Sequence, residues 1–199
     1  MNIENHKYHH GNLRDEILSA AYNFVLENGY AAMSLRSIAE NCNVSATAIY
    51  RHYKTKEHLL ADVVVKGFLE FNLFVEGDSE ANIFDKCDNY LEFAFDNKNI
   101  YDLLFSQSVV EFLQFPNILE VADSSFQILL ESVKEHDRSL NDLSASNKAI
   151  HIWSFLHGIS SISKKMDVAL SLPDTEMPIP VRSVKRARSN LRQFIEDLF

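Results

Sequence analysis

The sequence is short of residues that break helices or build covalent frameworks. Its 199 residues include only five glycines, four prolines and two cysteines, and strictly alternating polar and apolar stretches are scarce, which argues against strands. Cys42 and Cys87 stand alone rather than in a CxxC pair, so neither a disulfide framework nor a metal site is expected, and both are interpreted as small core residues. These shortages favour an all-α protein.

Long hydrophobic runs are also missing. No run of about 18 or more apolar residues could span a bilayer, and the first residues lack the apolar core of a signal peptide. The chain is therefore expected to be cytoplasmic and to have no membrane partner.

Positive charge is scarce overall, with 19 Lys and Arg against 28 Asp and Glu and a net charge of −9. Its distribution matters more than its sum. Residues 1–58 contain six basic and six acidic residues, so the whole deficit lies in residues 59–199, which contain 13 basic and 22 acidic residues. This asymmetry would let one end of the molecule approach DNA while the other end repels it.

Hydrophobic periodicity predicts helices along most of the chain. A first helix runs from about residue 13 and ends before Gly29, and Ser34 and Ser45 are expected to cap two short helices. Asn43 can take the left-handed conformation between them. After a longer helix from about residue 57, further helices are predicted at residues 80–96, 99–105, 107–114, 117–137, 144–169 and 182–198. The proline-rich stretch 171–180 is expected to be a loop.

The two short helices have the length and the tight connection of a DNA-reading helix-turn-helix. Leu35, Ile38 and Ile49 would pack them together, and Tyr53 would also face inward. The outward face of the second helix would then be small enough to enter a major groove.

Residues 34–39, 44–45, 49–54 and 56–60 resemble the helix-turn-helix of the TetR/AcrR family of bacterial transcriptional regulators. Residues 8–14 resemble the opening of one subgroup, and Trp153 with His157 and Gly158 resembles that subgroup's WHG C-terminal domain. The resemblance implies an N-terminal three-helix DNA-binding domain with an N-terminal arm, residues 1–58, and a helical regulatory and dimerisation domain, residues 59–199.

The resemblance also implies roles for single residues. Arg36, Tyr50, His52 and Lys56 fall where the family contacts phosphates, and Ala46, Thr47 and Arg51 fall where it faces base edges. Ser45 lies at the N-terminus of the recognition helix, which would offer amide groups to a phosphate. Arg51 would be the main base reader unless it turns to a phosphate. Asn43 and the pair Thr47 and Ala48 depart from the usual family pattern, which leaves the operator sequence open.

The family resemblance implies a sequence-specific repressor that binds double-stranded palindromic operator DNA as a homodimer and is released by a small-molecule effector. No cofactor and no catalytic residue are expected. A helical adaptor is the alternative from another class, and an enzyme using His151 and His157 is a weaker one, because no catalytic or phosphate-binding motif supports it.

Two further sets of residues are predicted in the second domain. The effector pocket is expected among aromatic residues that would equally suit a plain core, namely Phe93, Phe105, Phe112, Phe126, Trp153 and His157. The dimer seam is expected on the last helix, with intramolecular packing as its alternative, at Val184, Ala187, Leu191, Phe194 and Leu198. The basic residues of that helix are expected to pair with acidic groups of the same domain.

Overall fold

The computed structural model describes residues 13–105 and 115–199, and all regular structure in these ranges is helical. Besides a short 3₁₀ turn at Tyr30–Ala32, these residues form eleven helices: α1 Leu13–Asn28, α2 Leu35–Asn41, α3 Ala46–His52, α4 Lys56–Glu76, α5 Ile83–Asp96, α6 Lys98–Leu104, α7 Pro116–His136, α8 Asp142–Lys165, α9 Asp167–Leu170, α10 Ile179–Ser189 and α11 Leu191–Glu196. The predicted all-α class is confirmed. The helix predicted at residues 107–114 lies outside the described residues.

Local capping chemistry sets the ends of the short helices. The Ser34 hydroxyl accepts a hydrogen bond from the Ser37 amide at 3.1 Å, and the Ser37 hydroxyl accepts one from the Ser34 amide in return. Ser45 caps α3 by accepting from the Ala48 amide at 3.2 Å. Asn43 has a φ of 57°, the left-handed conformation that reverses the chain between α2 and α3. Both predicted caps and the predicted turn are confirmed.

One compact unit comprises the described residues up to Gly67 together with those between Asn99 and Ile118. Its core contains Ile17, Ile38 and Ile49, all of which are fully buried. α6 joins α1 through a hydrogen bond from the Asn99 side-chain Nδ2 to the Leu26 carbonyl at 3.0 Å. α6 also lies so close to Gly67 of α4 that an added Cβ would stand 2.9 Å from a Leu104 methyl group.

A second compact unit comprises residues from Phe68 to Lys98 and from Leu119 to Phe199. α5 packs against α8 and α11, and α8 packs against α10. Phe71 and Phe93 meet edge to face in its core, with ring centroids 5.1 Å apart. Asn72 of α4 donates to the Val121 carbonyl of α7 at 3.1 Å.

α4 belongs to both units, because its residues up to Gly67 group with the first and those from Phe68 on group with the second. The division of the chain after residue 58 into a DNA-binding domain and a regulatory domain stays a prediction. The described residues between Asn99 and Ile118 group with the first unit although they are distant from it in sequence. Periodicity along the chain carries no information about such long-range grouping.

The last third of the chain differs from the prediction in its helix ends. The helix expected at 144–169 ends at Lys165, and the helix expected at 182–198 starts at Ile179 and breaks at Asn190. Pro180 lies in the first turn of α10, where its missing N–H is not needed by the helix. The loop predicted at residues 171–180 therefore ends at residue 178.

The predicted dimer seam is wrong for Val184, Ala187 and Leu191. Their side chains are buried within the same chain, where α10 packs on α8 and α11 packs on α5. Phe194 is 39% exposed and stacks on Phe155 at 5.6 Å, and Leu198 is half-buried. The intramolecular alternative describes the first three residues, because the periodic apolar face covers the chain's own core.

Three basic residues of α10 and α11 have partners in their own unit. The Arg188 guanidinium lies 3.7 Å from the Phe95 ring centroid, and the Arg192 guanidinium lies 4.5 Å from that of Phe84. Lys185 forms an ion pair with Asp174 at 2.7 Å. The partners of these cations therefore include aromatic rings as well as the acidic groups that were expected.

The two cysteines differ in burial. Cys87 lies in the core of the second unit, where burial raises the pKa of its thiol to about 12. Cys42 follows the last turn of α2 and is half-buried, and partial burial also raises the pKa of its thiol. The prediction of a core residue is confirmed for Cys87 and is wrong for Cys42.

Within residues 13–105 and 115–199, none of the helices combines the length and the hydropathy that crossing a membrane requires.

Candidate nucleic-acid interface

The short helix α3 presents a polar face to solvent and an apolar face to α2. Ile49 is fully buried, whereas Ala46, Thr47 and Arg51 are exposed. Tyr50 exposes 54% of its surface, but Tyr53, three residues later, exposes only 2%. The predicted orientation of both tyrosines is confirmed, and the outward side chains beside Ala46 are small enough for a helix to approach a surface closely.

A basic groove of about 480 Å³ flanks α3 on one side. We call it the Arg36 groove, and it is lined by Ser34, Leu35, Arg36, Ala46, Tyr50, Lys54, Thr55 and Lys56. The Lys56 ammonium donates to the Ala31 carbonyl at 3.3 Å, which holds it at this site. The groove therefore combines three cations with three hydroxyl groups, the donor set that binds phosphate oxygens.

A second groove of about 390 Å³ involves other residues of α3 and the turn before it. We call it the Arg51 groove, and it is lined by Leu13, Asn43, Val44, Ser45, Ala48, Arg51 and His52. Arg51 and His52 occupy the last turn of α3. Both side chains are exposed and can donate hydrogen bonds to a ligand.

The structure divides the predicted phosphate contacts between these two grooves. Arg36, Tyr50 and Lys56 line the Arg36 groove, whereas His52 lines the Arg51 groove beside Arg51. Cationic side chains therefore line both grooves beside α3, and small residues lie at its exposed start. A major groove admits an α-helix between two phosphate backbones, and this arrangement matches it.

Sequence reasoning missed three polar residues that line the Arg36 groove, namely Ser34, Lys54 and Thr55. Lys54 lies within residues 49–54, which resemble the family, but the resemblance implied no role for it. Its position just after α3 and two residues before Lys56 was the available signal, because closely spaced cations next to a recognition helix are suited to phosphates.

The predicted effector-pocket residues do not all lie in one unit. Phe93 is buried and contacts Phe71 in the core of the second unit. Trp153 and His157 are half-buried and stack with ring centroids 5.8 Å apart, and burial lowers the pKa of His157. Phe126, also half-buried, belongs to the second unit, Phe105 belongs to the first, and Phe112 lies outside the described residues.

Two family models match the chain. Residues 17–63 match the model described as bacterial regulatory proteins, tetR family, and residues 83–176 match a model described as tetracyclin repressor-like, C-terminal domain. The WHG subgroup stays a prediction. Comparison with curated proteins finds no match.

Solved structures with a similar fold include a TetR transcriptional regulator from Legionella pneumophila, at 20% identity and a TM-score of 0.58, with 99% of this chain and 98% of that one covered. The regulator FadR from Bacillus subtilis, solved with stearoyl-CoA, has 20% identity, a TM-score of 0.61 and coverage of 88% and 97%. BioQ, solved with its double-stranded DNA operator, has 12% identity, a TM-score of 0.56 and the same coverage.

Proposed function

Because the chain belongs to the TetR family and is a DNA-binding transcriptional regulator, we propose that it is a repressor. A homodimer binds palindromic operator DNA in the cytoplasm, and a small-molecule effector releases it. The DNA-contacting residues are Arg36, Ser45, Ala46, Thr47, Tyr50, Arg51, His52 and Lys56, with Lys54 as an addition.

The arrangement around α3 is the observation that carries this proposal. The Arg36 groove and the Arg51 groove supply cations for phosphates, and the exposed Thr47 can hydrogen-bond a base or contact a thymine methyl group. In an isologous dimer, two copies of α3 would enter successive major grooves about 34 Å apart, which implies a palindromic operator.

The salt dependence of DNA binding tests the proposal. We expect the logarithm of the association constant to fall with the logarithm of salt concentration at a slope of about −4 or steeper, because each neutralised phosphate adds about −0.9. Fluorescence anisotropy with a duplex selected by the protein from a randomised pool measures this slope. A slope near zero would refute DNA binding and would favour the helical adaptor.

The outward face of α8 is our candidate for the dimer contact. Leu143 exposes 72% of its surface, and Ile150 lies two turns later on the same face. Ser154 follows one turn after Ile150, and a Cβ added at Gly158 would meet no atom within 4 Å. An apolar face interrupted by small residues lets two copies of a helix approach closely. Phe194 of α11 stacks on Phe155 of α8 and is partly exposed, so it is also available to this contact.

Replacing Ile150 with glutamate should separate the dimer. Across a two-fold axis the change would bring two carboxylates into one contact, so we expect the dimer dissociation constant to rise at least about a hundredfold. Sedimentation velocity measures the change. Leu73→Glu, on an exposed part of α4, is the matched control and should leave the protein dimeric. A dimer that persists in the Ile150 variant would rule out this face.

The effector is proposed to be a small molecule with an apolar body. The second unit is rich in aromatic side chains, including Phe126, Trp153 and His157, which are half-buried, and such side chains commonly line ligand pockets. FadR from Bacillus subtilis was solved with stearoyl-CoA, so stearoyl-CoA is the first compound to assay for release of bound duplex. An effector that prefers the conformation unable to bind DNA would weaken operator binding by a coupling energy of about 1–3 kcal/mol.

A further inference from the structure

Three polar side chains meet where α1, the end of α3 and α4 come together. The Tyr53 hydroxyl donates to Asp62 Oδ2 at 2.8 Å, and Arg14 Nη2 donates to the same oxygen at 2.9 Å. Arg14 Nε also points at the Tyr53 hydroxyl at 3.5 Å, and its guanidinium lies 5.6 Å from the Tyr53 ring centroid. One carboxylate oxygen of α4 therefore joins the other two helices.

The Tyr53 side chain is fixed at both of its ends. Tyr53 is only 2% exposed, so packing holds its ring in place. The hydrogen bond to Asp62 holds its hydroxyl. Burial raises the pKa of Tyr53 to about 12, so the hydroxyl remains a proton donor throughout the physiological range. The bond to a carboxylate is stronger than one between neutral groups.

Tyr53 is the residue at which α3 ends and the chain turns toward α4. α3 has only seven residues, and its start is capped locally by Ser45. Ile49 anchors α3 by its burial, and the Tyr53 hydroxyl adds a polar contact from the end of α3 to α4. Arg51 and His52 precede Tyr53 and Lys54 follows it, so a shift of this residue would move side chains of both grooves.

We propose that Arg14, Tyr53 and Asp62 are positioning residues that set the angle at which α3 meets DNA. The inference rests on the proposed function. All three residues belong to the first unit, where Asp62 joins α4 to the end of α3.

A positioning role differs from a merely stabilising one in its effect on specificity. Removing the Tyr53 hydroxyl leaves every cation of the two grooves in place, so electrostatic attraction to any duplex should persist. Base readout depends on the orientation of α3, so affinity for a preferred sequence should fall selectively. A stabilising role would lower thermal stability but would leave the ratio of the two affinities unchanged.

The test compares binding of the full-length chain to two probes: a duplex selected by the wild-type protein from a randomised pool, and an unrelated duplex of equal length and base composition. For Tyr53→Phe we expect about tenfold weaker binding to the selected duplex and less than about twofold weaker binding to the unrelated one. Circular dichroism confirms folding at the assay temperature. Tyr22→Phe removes a hydroxyl from another buried tyrosine of the first unit and should change neither affinity.

Variants of Asp62 separate its hydrogen bond with Tyr53 from its ion pair with Arg14. Asp62→Asn keeps an acceptor for the Tyr53 hydroxyl and should preserve most of the discrimination, because the exposed pair with Arg14 adds little. Asp62→Ala should lose about as much discrimination as Tyr53→Phe, and the double variant should lose no more than either single one.

The outcomes distinguish this inference from the proposed function. If the wild-type chain selects a duplex and Tyr53→Phe keeps the same ratio of affinities, the positioning role is overturned and the function stands. A parallel loss of both affinities would also overturn it, because that result indicates destabilisation alone. If the wild-type chain selects no duplex, both proposals fall.

Discussion

Replacing both Arg36 and Lys56 with glutamine should weaken operator binding at least about a hundredfold at fixed salt. The two cations line the same groove beside α3, with the Lys56 ammonium held by the Ala31 carbonyl. Glutamine removes the charge but keeps a long polar side chain. Because a dimer would lose four phosphate contacts, the slope of binding against salt should become shallower by about 3 to 4. Fluorescence anisotropy across a salt series measures both quantities.

The matched control removes two positive charges far from α3 in sequence. Arg182 and Arg186 are exposed on α10, so their replacement by glutamine changes the net charge equally. It should alter neither the affinity nor the slope, apart from a small long-range effect that salt screens. If the Arg36 and Lys56 variant binds with the wild-type slope, these residues do not contact phosphates, and the Arg36 groove must be reassigned.

Replacing Ile49 with alanine should destabilise the first unit by about 3 kcal/mol. Ile49 is fully buried and joins α3 to α2, and truncating such a residue removes apolar contacts and leaves a cavity. Hydrogen exchange followed by mass spectrometry should show amides of α2 and α3 exchanging about a hundredfold faster, since 1.4 kcal/mol corresponds to a factor of ten. DNA binding should weaken in proportion to the loss of folded α3.

Thr47→Ala on the same helix is the control for this change. Thr47 is exposed, so its replacement should shift stability by less than about 0.5 kcal/mol, while it removes a proposed base contact. If the amides of α2 and α3 exchange at the wild-type rate in the Ile49 variant, contacts other than those of Ile49 hold α3 in place. The two variants thus separate the stability of α3 from its chemistry toward DNA.

Much of the first unit could be predicted from the sequence because its helix ends depend on neighbouring residues. Ser34 and Ser45 cap helices by bonding amides three residues away, and Asn43 reverses the chain through its own backbone conformation. The faces of α3 followed from the spacing of Ile49, Tyr50 and Tyr53. Such features need only a few consecutive residues, so the pattern along the chain contains them.

The predictions that failed concern apolar residues with more than one available partner. Val184, Ala187 and Leu191 have the spacing of a helix seam, and the sequence could not decide whether a second chain or the same chain covers it. The structure buries them within the chain, so the proposed dimer contact lies on the outward face of α8 instead. Cys42 had core spacing but lies at the end of α2, where the helix no longer shields it.

The network of Arg14, Tyr53 and Asp62 had no signal in the sequence. Arg14 is 39 residues from Tyr53 and 48 from Asp62, and each of the three suits an ordinary helix surface or core. The separation of Arg51 and His52 from Arg36 and Lys56 into two grooves was equally hidden. Both features depend on the directions of helices in space.

By itself the sequence determined that the chain is helical, where its first helices begin and end, and which side chains of α3 are exposed. These properties follow from backbone hydrogen bonding, capping and hydrophobic periodicity, which act over a few residues. Tertiary structure alone decided which apolar faces cover the chain's own core, which cations share a groove, and how Asp62 ties α4 to the end of α3. Those properties arise from packing between distant segments, whose geometry no local pattern encodes.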